Sequence, residues 1–437
     1  MNRQLLVVGC ILLAAISVSA QDTSVVPLDN LQNAGANRSA AFIELLRQAE
    51  AGDGYAQYKV ANAYATGAGV SKDGAEAIRW WFKSARQGVA DAENKLGYSY
   101  ERGIGVPRDY VEAVHWFRSA AEQKLPAAQY NLGYMYEHGE GVPRNYDRAV
   151  DLFDQAAAQG LAEARIGLGI AYTLGTGVPR NDTEALRLFR IAADQGVPSA
   201  QYDLGAMYLE GRGTARNYPE ALKWLSQAAN GGMIAAYHAL GRMYEYGNGV
   251  DRDPVKAAEL YRKAAEHGNV SAQNELARLY KTGKGVRQDH SEAAKWFRRA
   301  AEQGDPVGEN AIGYMYCRGE GVSRDYRQAA EWLRKSAEQN YASAQSNLGF
   351  LYQNGLGVPL NYAEAYKWLA LGADRHSDVN AASKRALDEL KQIMTTSQLR
   401  DGKARVSDWV ASHDKLKLAD QNPEVTELDN YSTAAQP

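Results

Sequence analysis

The sequence predicts an all-α protein, a right-handed α-solenoid of helix–turn–helix repeats closed by capping helices. Three observations carry that expectation. The segment Tyr-x-x-Gly-x-Gly begins at Tyr64, Tyr100, Tyr136, Tyr172, Tyr208, Tyr244, Tyr280, Tyr316 and Tyr352, a period of 36 residues kept without insertion over nine copies. Each period holds two stretches with apolar residues at helical spacing. One hairpin of that size cannot bury its own apolar face, so such hairpins fold only by stacking.

Composition narrows the rest. Of 437 residues, 45% are apolar and 23% charged, as in a soluble globular protein. A net charge of −3 leaves no basic field for nucleic acid. Cys10 and Cys317 alone provide neither a disulfide framework nor a multi-cysteine metal site. Seven histidines (115, 138, 238, 267, 290, 376 and 413) fall at different repeat positions without ligand spacing, so no metal or cofactor is expected.

Met1–Ala20 reads as a cleaved secretory signal: Arg3, an apolar run of 14 residues from Leu5 to Val18, then Val18-Ser19-Ala20 before Gln21. Val7-Val8-Gly9-Cys10 also has the form of a lipoprotein signal, with too few apolar residues ahead of Cys10 to favour it. Residues 21–40 are expected to be a flexible lead-in and 41–51 a capping helix. Repeats are expected over 52–375 and two capping helices around a Met394–Ser397 break over 376–418, with a disordered tail at 419–437.

Within the unit Ala92–Ala127, Ala92, Leu96 and Tyr100 form the buried stripe of a helix A. Gly97 lies inside that helix, where glycine is unfavourable, which predicts close approach by a neighbouring helix backbone. Gly103 is expected to end helix A in the left-handed conformation, with Gly105 allowing the turn and Val106 packing back. Helix B opens at an Asp or Asn in all nine units, followed three places on by Glu or Gln in seven, the pattern of a reciprocal capping box. Ala113, Trp116, Phe117, Ala120 and Ala121 form its buried stripe. Glycine marks its end at 52, 88, 160, 196, 232, 268 and 304, with Lys124 and Asn340 in the same place elsewhere.

The unit Leu-Gly-x-x-Tyr-x-x-Gly-x-Gly-Val, then Asp/Asn, Ala, Trp-Phe and Ala-Ala-Glu-Gln-Gly, resembles the Sel1-like repeat, a longer relative of the tetratricopeptide repeat. The resemblance spans about three quarters of the chain. The stretch Leu387–Leu399, ending near Trp409, is similar to the closing helices of many bacterial members. It implies an all-α superhelix and a scaffold or adaptor for protein complexes, often exported and linked to signalling, envelope assembly or host contact. Some relatives are described as penicillin-binding or β-lactam-hydrolysing. Those have paired cysteines stapling every repeat, which this chain lacks, and Ser84, Ser119 and Ser336 are followed by Gln87, Glu122 and Gln339 where a catalytic lysine would stand.

Helical-wheel arithmetic places the positions of residues 94, 98 and 101 opposite the framework stripe, on the concave wall that solenoids offer to partners. Tyr130, Tyr134, Ile166, Ile170, Tyr202 and Leu209 make one part apolar and tyrosine-rich, Arg242, Arg278 and Lys281 make the next basic, and Tyr314 returns to aromatic. Such a surface suits a protein or peptide segment with apolar anchors and an acidic flank. The expectation is a monomeric, non-enzymatic bacterial scaffold, periplasmic or secreted, without a membrane span after signal cleavage. The alternative is an enzyme or receptor acting on β-lactam, peptidoglycan or other cell-wall fragments. Asn-x-Ser/Thr triplets at Asn37, Asn181, Asn269 and Asn430 would also admit a eukaryotic secretory protein.

Overall fold

The computed structural model describes residues 35–373 and 379–413, and within them every regular element is a helix. The signal segment, Cys10, Asn430 and the tail at 419–437 lie outside the described residues. Two compact units divide at Trp224–Leu225, and each is described by itself.

In the N-terminal unit, α1 (Gly35–Glu50) packs on α2 (Gly54–Thr66), the A helix of the first hairpin, whose B helix is α3 (Gly74–Ala85). Hairpins α4/α5 (Ala90–Arg102, Tyr110–Glu122), α6/α7 (Pro126–His138, Tyr146–Ala158) and α8/α9 (Ala162–Leu174, Asp182–Asp194) follow, then α10 (Pro198–Glu210). The next helix, α11 (Tyr218–Asn230), contains the dividing point. In the C-terminal unit come α12/α13 (Ile234–Tyr246, Pro254–Glu266), α14/α15 (Val270–Thr282, His290–Glu302), α16/α17 (Pro306–Arg318, Tyr326–Glu338) and α18/α19 (Ala342–Asn354, Tyr362–Ala373). Two further helices, α20 (Val379–Ile393) and α21 (Thr396–His413), both pack on α19. Within each unit consecutive helices of the repeat array pack on one another, the arrangement of an all-α solenoid. The cap α1 starts at Gly35, six residues inside the expected lead-in.

The sequence signals act locally as backbone geometry requires. Gly67, Gly103, Gly139 and their six equivalents end the A helices at φ between 63° and 82°. Lys124 and Asn340 hold the left-handed conformation at φ 64° and 69°, so the helix-B ending survives without glycine. At each B helix the Asp or Asn side chain accepts from backbone N–H groups of the first turn, as Asp109 Oδ1 does from Val111 and Glu112 at 2.9 and 3.1 Å. Asn181 is one such cap, and Asn269 caps an A helix, α14, in the same way.

Two details depart from expectation. The reciprocal half of the capping box is not used: in all nine units the cap residue's own N–H donates to the carbonyl of the repeat tyrosine, at 2.8–3.1 Å. The Glu three places on pairs instead with a cation one turn later, as Glu184 with Arg187 and Glu292 with Lys295. The second concerns Gly97, where the nearest obstacle is a side chain. A Cβ there would sit 2.5 Å from the Phe117 ring, and at Gly133 and Gly241 the intruders are Phe153 and Tyr261. Helix-B backbone also approaches these glycines, the Ala149 carbonyl oxygen lying 3.2 Å from a Cβ on Gly133 and the Leu369 nitrogen 3.0 Å from one on Gly349, but the tightest backbone contact is at the turn glycine. A Cβ on Gly141 would meet the Tyr110 carbonyl oxygen at 2.1 Å, and one on Gly321 that of His290 at 2.0 Å. Each such turn therefore rests on the first residue of the preceding B helix.

The core is repetitive. Phe117, Phe153 and Phe189 in the N-terminal unit, and Tyr261, Phe297, Leu333 and Leu369 in the C-terminal one, fill the same position, all buried and flanked by alanines that let neighbours close in. A glutamine at the end of most B helices donates to its own A helix, as Gln87 to Gln57 and Gln303 to Gln273, at 2.8 and 2.9 Å. Gln57 and Gln273 in turn donate to Ala49 and Ala265 carbonyls of the preceding helix. Arginines of B helices bond the next repeat's tyrosine hydroxyl, Arg298 to Tyr316 at 2.9 Å and Arg334 to Tyr352 at 3.1 Å. Trp409 of α21 meets Trp368 edge-on at 6.4 Å and covers the last hairpin.

Candidate functional site

The A helices are enclosed on more sides than a lone amphipathic helix. Buried positions of α6 run through Ala128, Gln129, Tyr130, Leu132, Gly133, Met135 and Tyr136, whereas α7 buries only Ala149, Phe153, Ala156 and Ala157. What remains accessible on the A helices is a narrow strip.

That strip excludes several residues singled out from sequence. Tyr130, Ile166, Ile170 and Tyr202 are all buried, with the Tyr130 ring 5.5 Å from that of Phe153. Burial pushes the Tyr130 phenol well above the ordinary tyrosine range. These four are packing residues of the hairpin stack, where a partner cannot reach them. Tyr134 stays half-exposed, stacked on His138 at 4.0 Å, and Leu209 is half-buried. Around Tyr134 the tone is acidic: burial raises the carboxyl groups of both Glu101 and Glu137.

The basic stretch lies in the C-terminal unit and is internally compensated. Arg278 bonds Glu275 at 2.8 Å and also Glu245, whose other oxygen accepts from the Tyr261 hydroxyl at 2.8 Å. Burial works against the Arg278 charge, but the two carboxylates outweigh it and hold the guanidinium charged. Arg242 is half-buried beside this network. Lys281 lies 3.8 Å from Glu320 and 5.1 Å from the Tyr314 ring centre. Desolvation lowers the proton affinity of its ammonium more than Glu320 restores it.

Three of the expected residues, Arg278, Lys281 and Tyr314, converge on one open cleft whose enclosed space is about 50 Å³. Phe297, Asn310 and Asn347 complete much of its lining. Asn347 donates to Asn310 at 3.0 Å, repeating the Asn131–Asn94 bond of the N-terminal unit at the same sequence offset. That recurrent pair, 37 residues apart, is the signal by which the two amides were discoverable.

No group of His, Cys, Asp or Glu could hold a metal ion among the described residues, and no described helix is long and apolar enough to cross a membrane. A Ser-x-x-Lys spacing does occur at Ser412 and Lys415. There the Ser412 hydroxyl donates to the Trp409 carbonyl at 2.9 Å, and Lys415 lies outside the described residues. Cys317 is a free thiol, pushed up to about 12 by burial and so a poor nucleophile.

Comparison with known proteins agrees with this architecture. The Sel1 repeat matches nine times in tandem, from residues 54–89 to 342–377. A solved Sel1 repeat protein from Oxalobacter formigenes is 35% identical, covering 72% of this chain and 93% of its own, with a TM-score of 0.55. The protective antigen c5321 of uropathogenic Escherichia coli, described as an SLR fold, is 32% identical over 87% of this chain and 90% of its own, with a TM-score of 0.52. No match was found among curated proteins. Sel1 repeat proteins generally mediate protein–protein interaction, and the repeat is typically a non-catalytic scaffold. Nine tandem matches across the array place this chain in the Sel1 repeat family.

Proposed function

We propose that the protein is an exported bacterial scaffold, working in the periplasm or outside the cell, that holds a protein or peptide partner on the strip each unit leaves open along its own A helices. The observation that carries this reading is a set of large side chains kept accessible at the same repeat position: Tyr134, Tyr314 and Phe350, the last 49% exposed. Solvent alone would favour polar residues there, and rigid aromatic rings make good anchors because few rotatable bonds are frozen on contact. Export is supported by the Met1–Ala20 pattern, and the related uropathogenic antigen is described as protective, which suits a protein displayed beyond the cytoplasm.

A photo-crosslinking amino acid at position 350, compared with one at exposed Val111 on a B helix, tests the reading in living cells of the source bacterium. A discrete adduct from position 350 but not from position 111 is expected. Equal labelling, or none from position 350, overturns it. Amino-terminal sequencing of the envelope fraction, with Gln21 expected first, tests export.

A further inference from the structure

The cleft in the C-terminal unit combines an apolar floor with two rim cations whose carboxylate partners sit outside its lining. Phe297, Val307 and Ala311 supply the floor. The two charged residues lining the cleft, Arg278 and Lys281, are both cations, and the carboxylates that pair with them, Glu245, Glu275 and Glu320, are absent from its lining. Glu245 and Glu275 take Nη2 and Nε of Arg278, and among the described residues no acceptor takes Nη1. Asn310 and Asn347, bonded to each other through one donor and one acceptor, each keep further amide valence. Paired amides of this kind match the alternating N–H and C=O groups of an extended peptide backbone.

We infer that this cleft docks an acidic linear segment of a protein partner, with one large apolar side chain on Phe297, Val307 and Ala311 and a neighbouring Asp or Glu carboxylate against Lys281 and Arg278. The inference rests on the A-helix strip being the working face and gives that face a chemistry. A carboxylate arriving there restores to the Lys281 ammonium the solvation that burial has removed, which a neutral or cationic segment does not. The side-chain amides hold the backbone between the two anchors.

Fluorescence anisotropy of the full mature protein with a labelled peptide containing Asp-Phe-Glu tests the assignment, beside the same peptide with Asn-Phe-Gln or Lys-Phe-Arg. Binding of the acidic peptide is expected, at least about tenfold tighter than the amide version and weakened by salt. Lys281→Gln should weaken it about tenfold, and Ala311→Leu, which fills the floor, should weaken it without touching charge. Val111→Ala, an exposed position of the N-terminal unit that does not line the cleft, serves as the unchanged control, and a thermal melt of each variant checks folding. Equal affinity for the acidic and amide peptides, preference for the basic one, or insensitivity to both cleft variants overturns the inference. So does glutarate binding as tightly as the peptide. Failure here with a selective crosslink at position 350 removes the cleft assignment alone, whereas failure of both removes the scaffold reading as well.

Discussion

Replacing Gly141 by alanine tests the seam between successive hairpins. Gly141 sits at φ 68°, and an added Cβ would stand 2.1 Å from the Tyr110 carbonyl oxygen and 2.4 Å from its carbon. The left-handed conformation alone costs a non-glycine residue about 1–2 kcal/mol. Because the obstacle is backbone, α5 and the α6–α7 turn must move apart, an overpacking cost of about 1–3 kcal/mol more. Gly160 supplies the internal control. It holds φ 98° with nothing within 4 Å of the place an added methyl would occupy, so Gly160→Ala should show the conformational cost alone. Urea unfolding followed by circular dichroism gives the two shifts, and hydrogen exchange in α5 and α7 locates them. Gly141→Ala should lose about 2–5 kcal/mol, with exchange rising on both sides of the seam. Equal shifts for the two variants would refute the idea that backbone contact, rather than turn conformation, keeps glycine at this place.

Other outcomes follow from burial and charge. Tyr130→Ala should cost about 3–5 kcal/mol because the ring is core, whereas Tyr134→Ala should change the melting temperature little. Arg278→Ala strands Glu245 and Glu275 in the interior and should cost about 3–5 kcal/mol, measured by the same urea titration. Burial raises the Glu309 carboxyl from 4.5 to about 7, so the folded state binds this proton more tightly than the unfolded chain. Its contribution therefore turns unfavourable as pH rises from about 4.5 through about 7. Glu309→Gln, the residue used at Gln57, Gln129 and Gln273, should raise the melting temperature at pH 8 and leave it nearly unchanged at pH 4.

The frame was legible because its rules are local. Helix starts, left-handed ends and the alanine–aromatic stripe each depend on a few neighbouring residues, and even Lys124 and Asn340 fell where glycine was expected. The glycine inside helix A announced a close approach without saying what approached. Only packing shows that Phe117 enters beside Gly97 while the tightest backbone contact belongs to Gly141. The strip was harder for the same reason. A helical wheel treats one helix with one buried side, but α6 and α8 are enclosed more widely, so Tyr130 and Ile166 turn inward. Nor can a wheel show that Arg278 finds Glu245 across 33 positions of sequence, which converts an expected basic patch into a compensated one. Arg278, Lys281 and Tyr314 were recognisable singly, but their meeting with Phe297 and Asn347 is a property of the stack.

The repeated seam has an evolutionary consequence. Since the turn glycines lean on the helix before them and the B-helix arginines and glutamines speak only to their own or the adjoining hairpin, these contacts require no particular number of copies. Duplication or loss of one 36-residue module would recreate the same junction at the splice, so array length can drift by recombination while the few accessible side chains diverge independently.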